Sequence, residues 1–451
     1  MRPNDPPTSS NLELFRSRLE NIIDARHPLG RLARLIDWPR FAEAFGPLYK
    51  DAGRPGLPTR LMVGLHLVKH MDGLSDEAVC ARYLDSPYVQ AFCGEEFFRH
   101  ELPLDRSSMT RWRQRIGAGK LEELLAETLA AARRAGAVQD RHFERVTIDT
   151  TVQPKAIAHP TDSRLLHRGI EILGRLAKHH GIKLRQSYAR VARRARFEAA
   201  RLAHAGRRKQ AERHVRKLRT WLGRLLRDVA RKVAGDDTLR AALAQAQERI
   251  GRLLRQKRHD KGKLYALHAP EVECIGKGKA RTRYEFGVKV SVAVTNAVAP
   301  GGQFVIGMRA LPGNPFDGHT LAAQLEQTER LTGTKVERAY VDRGYRGHDE
   351  PDRARVFISR QKRGLTPTIR KELRRRNGIE PVIGHMKGDG HLERNHLKGA
   401  EGDAVNVVLC GAGHNLRLLV RWLRRLLSAL LRALLRARAA VASPPPAALA
   451  A

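Results

Sequence analysis

The sequence predicts a mixed α/β (α+β) fold, a sheet with flanking helices that is preceded by a helical domain and interrupted by a long basic insertion. Three observations carry this. Short β-branched runs recur at Arg145–Val152, Tyr284–Thr295, Gln303–Leu311, Val336–Val341 and Arg355–Ile358. Amphipathic helical periodicity fills most of the chain before and between them. From Arg164 to about Arg258 the chain is Arg-rich, helix-compatible and nearly free of proline. Strands interleaved with helices point to a mixed sheet covered by helical layers.

In order, residues 1–10 are rich in Pro, Asn and Ser and are expected to be disordered. Residues 12–120 follow a helical pattern, as in Leu32-Ala33-Arg34-Leu35-Ile36 and Arg60–Val68, with a Pro/Gly linker at 54–58. Within it, Leu102–Gly117 opens on capping residues and continues as a short cationic helix carrying Arg106, Arg111 and Arg113. That suits a helix-turn-helix recognition element, in which first-turn residues face bases and arginines take phosphates. An ordinary surface helix with a solvated basic face fits the same residues. A further amphipathic helix over 122–140 leads into the first strand. After the insertion come two strands joined through Ala299-Pro300-Gly301-Gly302, a helix over 318–331, two more strands, a helix near Glu380 and a basic helical stretch over 403–439. The domains expected are 1–120 helical, 121–165 the start of the sheet domain, 166–262 the insertion, 263–400 the remainder, and 401–451 C-terminal helices with a disordered Pro/Ala tail.

The 451 residues hold 84 Lys and Arg against 47 Asp and Glu, a net charge of +37. So large an excess repels itself in the folded state and is normally balanced by a polyanion, with nucleic acid the leading partner and an anionic membrane second. The insertion reads either as helices with one solvated face or as a cationic arm along a DNA backbone. Cys80, Cys93, Cys274 and Cys410 form no C-x-x-C pair and read as reduced thiols. The first residues lack the apolar core of a signal peptide. Arg417, Arg421, Arg424 and Arg425 break the C-terminal apolar stretch, so a membrane-spanning helix is not expected. A soluble cytoplasmic protein follows.

Against this basic background three carboxylates stand out. Asp149 ends the first strand, Asp342 ends the Val336–Val341 run, and Glu380 falls in the first turn of a helix. Transfer at a phosphodiester gathers charge on the attacking and leaving oxygens, and two Mg²⁺ about 3.5–4 Å apart clamp both. Mg²⁺ takes hard oxygen ligands and keeps several waters, so a few carboxylates on rigid elements suffice. Each residue also has a plain reading: a local turn at Asp149 or Asp342, and a capping box from Asn377 to Glu380. The chain lacks a phosphate loop, an H-E-x-x-H, a paired C-x-x-C and a G-x-S-x-G elbow. Most of the 19 histidines are scattered among arginines. His385 alone flanks the candidate site, where packing is its plain role.

Val146–Val152, Ala339–Tyr345 and Arg376-x3-Glu380-x6-Lys387 together resemble the DDE transposases of bacterial insertion sequences that carry a Y-x2-R-x3-E-x6-K signature. Gly73–Ala78 and Trp112–Arg115 resemble that group's N-terminal domain. The signature's tyrosine position is Leu373 here. The resemblance implies a ribonuclease-H-like core with an insertion, two Mg²⁺ that Mn²⁺ can replace, and Asp149, Asp342 and Glu380 as catalytic metal ligands. It implies that Arg376 and Lys387 hold DNA phosphates, with terminal inverted repeats and target DNA as substrates. A DNA-bound homodimer in the cytoplasm, associated with the nucleoid, is expected. The rival readings are a metal-dependent endonuclease that joins nothing and a catalytically inactive DNA-binding protein. Attachment to an anionic membrane through residues 414–439 is a third.

Overall fold

The computed structural model describes residues 16–49, 55–257, 259–276, 283–350 and 352–442. The expected disorder of residues 1–10 and of the Pro/Ala tail lies outside the described residues. The chain divides into two units, Met1–Gln153 with Lys289–Ala451, and Pro154–Val288.

The first unit begins with helices α1 (Leu19–Ile22), α2 (Pro28–Leu35), α3 (Trp38–Phe45), α4 (Thr59–Asp72), α5 (Asp76–Asp85), α6 (Pro87–Phe92) and α7 (Ser107–Arg134). Their starts follow capping chemistry: Asp37 accepts the Arg40 amide at 3.3 Å and Ser75 the Ala78 amide at 3.0 Å, each satisfying a first-turn donor. Every residue of α4 from Leu61 to Met71 is buried. Three of these are polar, and Lys69 is satisfied by Asp76 at 2.6 Å, as a buried charge must be. Two expected helices, over 102–117 and 122–140, are one element with a kink at Gly117, whose φ of 73° suits glycine.

Strand β1 (Arg145–Pro154) follows. The second unit then opens with α8 (Asp162–His179), α9 (Ala189–His204), α10 (Arg208–Val233) and α11 (Asp237–Arg255). Leu166, Ile170, Leu173, Leu218, Leu222 and Ile250 meet in a core of their own, so the arginines of these helices stand on their outer faces. The expected insertion, 166–262, lies inside this unit. The unit also holds β2 (Glu273–Gly276), a strand the sequence pattern did not announce. Only four residues long, it carries no alternation to read.

Strand β3 (Tyr284–Thr295) pairs antiparallel first with β2 and then, in the first unit, with β4 (Val305–Leu311). Helix α12 (Leu321–Thr332), β5 (Arg338–Val341), β6 (Arg355–Ile358), α13 (Pro367–Arg375), α14 (Ile379–Gly388) and α15 (Gly399–Ala442) complete the chain. The sheet order is β2-β3-β1-β5-β6, with β4 also on β3. Strands β1, β5 and β6 run parallel. The long helix α15 packs against α4, α7 and β4, with Gly411 and Gly413 at the closest approaches. Asn415 of α15 satisfies both backbone groups of Val305, accepting its amide at 2.9 Å and donating to its carbonyl at 2.8 Å. Among the described residues no helix is long and apolar enough to cross a membrane.

Candidate active site

The parallel register of β1 with β5 places Val146 opposite Ala339 and Thr147 opposite Tyr340. Carried two residues further, it sets Asp149 beside Asp342, the residue that follows β5. The expectation that Asp149 ends its strand is corrected, because β1 runs on to Pro154. Val146 and Ile148 are fully buried on one side of this step, which locks the strand's facing. Each aspartate also spends one oxygen locally. Asp149 Oδ1 accepts the Thr150 amide at 2.8 Å, and Asp342 Oδ1 accepts the Gly344 amide at 2.8 Å. The local-turn reading holds at Asp342, which caps the turn Arg343–Tyr345, but not at Asp149, which lies within β1.

The electrostatics show how closely the pair is coupled. Burial, then the negative charge of Asp342, push the Asp149 carboxyl up to about 6, against the opposing Thr150 amide and Arg376. Arg376 Nη1 lies 3.4 Å from Asp149 Oδ2. The sequence singled out both residues but not their contact.

A third carboxylate, absent from the sequence reading, belongs to this cluster. Asp317 Oδ1 accepts the Thr150 hydroxyl at 3.1 Å and pairs with Lys289 Nζ at 3.1 Å. Gly344 sits between two carboxylates. A Cβ there would lie 2.9 Å from Asp317 Oδ2 and 3.0 Å from Asp342 Oδ1, so a larger residue would have to displace these carboxylates. Tyr345 is fully buried behind them. Burial and the charges of Asp149, Asp317 and Asp342 raise its phenol well above its usual range, so it stays neutral. The signal that could have found Asp317 was its Gly313-Asn314-Pro315-Phe316 approach, a turn that holds an aspartate near the sheet.

Glu380 is placed differently. It is exposed in the first turn of α14, where Gly378 precedes the helix without a side-chain cap, so the expected capping box does not form. Pro381 occupies that first turn without bending the helix, as first-turn amides lack helical partners. Among the described residues no group of three or more His, Cys, Asp and Glu side chains is arranged to hold a metal ion. The donor chemistry of Asp149 and Asp342, hard oxygens with excess negative charge, suits a divalent cation, but the fold does not bring Glu380 into a three-ligand set with them.

The remaining sequence candidates separate. Arg113 is buried, its guanidinium held by Asp76 at 2.6 and 2.9 Å, which withdraws it from any phosphate and corrects its expected DNA-contact role. Arg106 and Arg111 are exposed at the start of α7. Lys387 is half-buried on α14. His385 pairs with Asp389 at 2.8 Å on the surface. Leu373 packs with Tyr340, Phe357 and Ile369, so an apolar contact occupies the signature's tyrosine position. Beside it Glu372 is buried and accepts from the Tyr340 hydroxyl and from Arg145 at 3.1 Å, anchoring α13 to β1 and β5.

Residues 17–115, α1 to the first turns of α7, match a family model described as a transposase domain (DUF772). The uncharacterised protein ORF8 in nfe locus of Rhizobium meliloti is 56% identical over 205 residues, 46% of this chain and 99% of that protein. The chain belongs to this family of transposase-domain proteins. No solved structure matches it. In this family member the matched N-terminal helices and the paired aspartates lie in the same unit.

Proposed function

We propose that this transposase-family protein is a DDE transposase of an insertion sequence, cutting DNA at the element's ends and joining the freed strand to target DNA. One observation carries the reading most: two aspartates, one within β1 and one just after the adjacent parallel β5, share one negative site, in a chain with a transposase domain. The mixed sheet, with its first strand separated from the others by a helical insertion, supports a ribonuclease-H-like core. When bound, Mg²⁺ would supply charge neutralisation at the attacking and leaving oxygens.

This chain's own residues do the rest. Asp149 and Asp342 would hold the cation, with Glu380 joining when DNA draws α14 toward them. Arg376, seated on Asp149, neutralises that carboxylate and is the nearest guanidinium for a phosphate. Tyr345 and Asp317 fix the shape of the site from behind. Lys387, Arg106 and Arg111 would take backbone phosphates, and the +37 charge would bring DNA to the surface. Two ends cut in concert call for a homodimer on DNA.

The test uses a duplex carrying the terminal repeat with Mg²⁺ or Mn²⁺, and separately a pre-cut end with a target duplex. Cleavage in the first and a joined product in the second are expected. Cleavage without joining would make the protein an endonuclease. Retarded DNA with no cleavage under either metal would leave only a binding protein.

A further inference from the structure

The helical second unit holds a cavity of about 650 Å³ that the proposed chemistry does not use. Its size suits a small organic anion. Arg164, Arg168, Arg193 and Arg196 line it, and Glu171 is the single carboxylate among its lining residues. Arg168 is held by Glu171 at 2.9 Å, and Arg164 donates to the His159 carbonyl at 3.1 Å. Arg196 stacks on the ring of Phe197 at 4.6 Å, and its Nε is buried without a hydrogen-bond partner. A buried guanidinium N–H left unpaired is costly and calls for an acceptor that the chain does not provide.

The rest of the wall is aromatic. Tyr265 and His159 line the cavity, and both pack against Phe286, at 5.3 and 5.4 Å between ring centres. His167 faces Arg168, Arg193, Arg196 and Glu171, and burial above all holds its ring below its usual range. It is therefore neutral near pH 7 and adds no charge of its own to the guanidiniums. Guanidiniums for a phosphate beside rings for a base form the two halves of a nucleotide site.

We infer that this cavity binds one nucleotide of a DNA strand, its phosphate on Arg193 and Arg196 and its base against Tyr265 and His159. This deepens the proposed DNA-handling function and rests on it for the identity of the ligand as DNA. The binding itself needs no divalent metal.

The experiment titrates the full chain with deoxyadenosine 5′-monophosphate in EDTA by calorimetry, with inorganic phosphate and deoxyadenosine as separate probes. The nucleotide is expected to bind more tightly than either fragment. Arg196→Ser is expected to weaken it about tenfold, the loss of a charge-assisted hydrogen bond. Arg193→Ser, at an exposed position, provides a second variant with little risk to folding. Arg213→Ser, exposed on α10, removes the same charge elsewhere and should change nothing. Wild-type affinity in both Arg193→Ser and Arg196→Ser would overturn the assignment, as would phosphate binding as tightly as the nucleotide. A chain that binds the nucleotide but never cleaves DNA would keep the pocket and lose the transposase reading.

Discussion

Asp149 sits where its charge is least welcome, half-enclosed between Asp342 and Asp317 with Arg376 as its nearest relief. A carboxyl with its folded-state pKa raised to about 6 binds its proton more tightly folded than unfolded. Its ionisation therefore destabilises the fold progressively as pH rises from about 4 to 6, and by a constant amount above that. Asp149→Asn removes this penalty. Denaturant melts at pH 4 and pH 7.5 should show the variant gaining on the wild type at the higher pH. An unchanged difference would mean that Asp149 is no more strained than a surface aspartate. The same variant should lose metal-dependent cleavage while still retarding DNA in a gel.

Asp317 should behave otherwise. Asp317→Asn keeps the acceptor for Thr150 but leaves Lys289 beside a neutral group. It is expected to raise the Mg²⁺ concentration needed for half-maximal cleavage by about tenfold, one charge-assisted contact's worth, without changing DNA affinity. Loss of DNA binding in this variant would instead make Asp317 a scaffold residue. The Gly313-Asn314-Pro315-Phe316 approach marks Asp317 as a turn aspartate, but its role was hidden because its partners Thr150 and Lys289 come from strands far away in the chain.

Among the elements, α15 couples the helical N-terminal region to the sheet. Asn415 reaches β4 at both Val305 groups and donates to Thr128 of α7 at 3.0 Å. Asn415→Leu leaves buried donors and acceptors unpaired and is expected to cost about 3 kcal/mol, read from the denaturant midpoint. Gly413→Ala would drive a Cβ into the His70 carbonyl of α4 and is expected to cost about 2 kcal/mol by the same measurement. Element identity was largely legible. Strand β3 was expected over 284–295 and spans those residues, because its β-branched run is long. The kink that joins two expected helices into α7 was not legible, since Gly117 is compatible equally with a helix end and with a bend. The buried role of Arg113 was hidden too, because its partner Asp76 lies on another helix.

For the whole molecule the dominant quantity is charge. With +37 spread over both units, DNA affinity should fall roughly a thousandfold between about 50 and 200 mM salt, by counterion release. Fluorescence anisotropy across that range reads the slope, and a flat response would remove nucleic acid as the partner. The bias toward a polyanion, the strand and helix periods, and an aspartate in or beside each of two β-branched runs were all determined by the sequence alone, since composition and local pattern act over a few residues. Tertiary structure decided which charges meet: Asp149 beside Asp342 through a parallel register, Asp317 with Lys289, Arg376 on Asp149, and Arg113 turned inward. Glu380, exposed on α14, shows the same limit from the other side, because spacing along a chain specifies a candidate ligand but only packing places it.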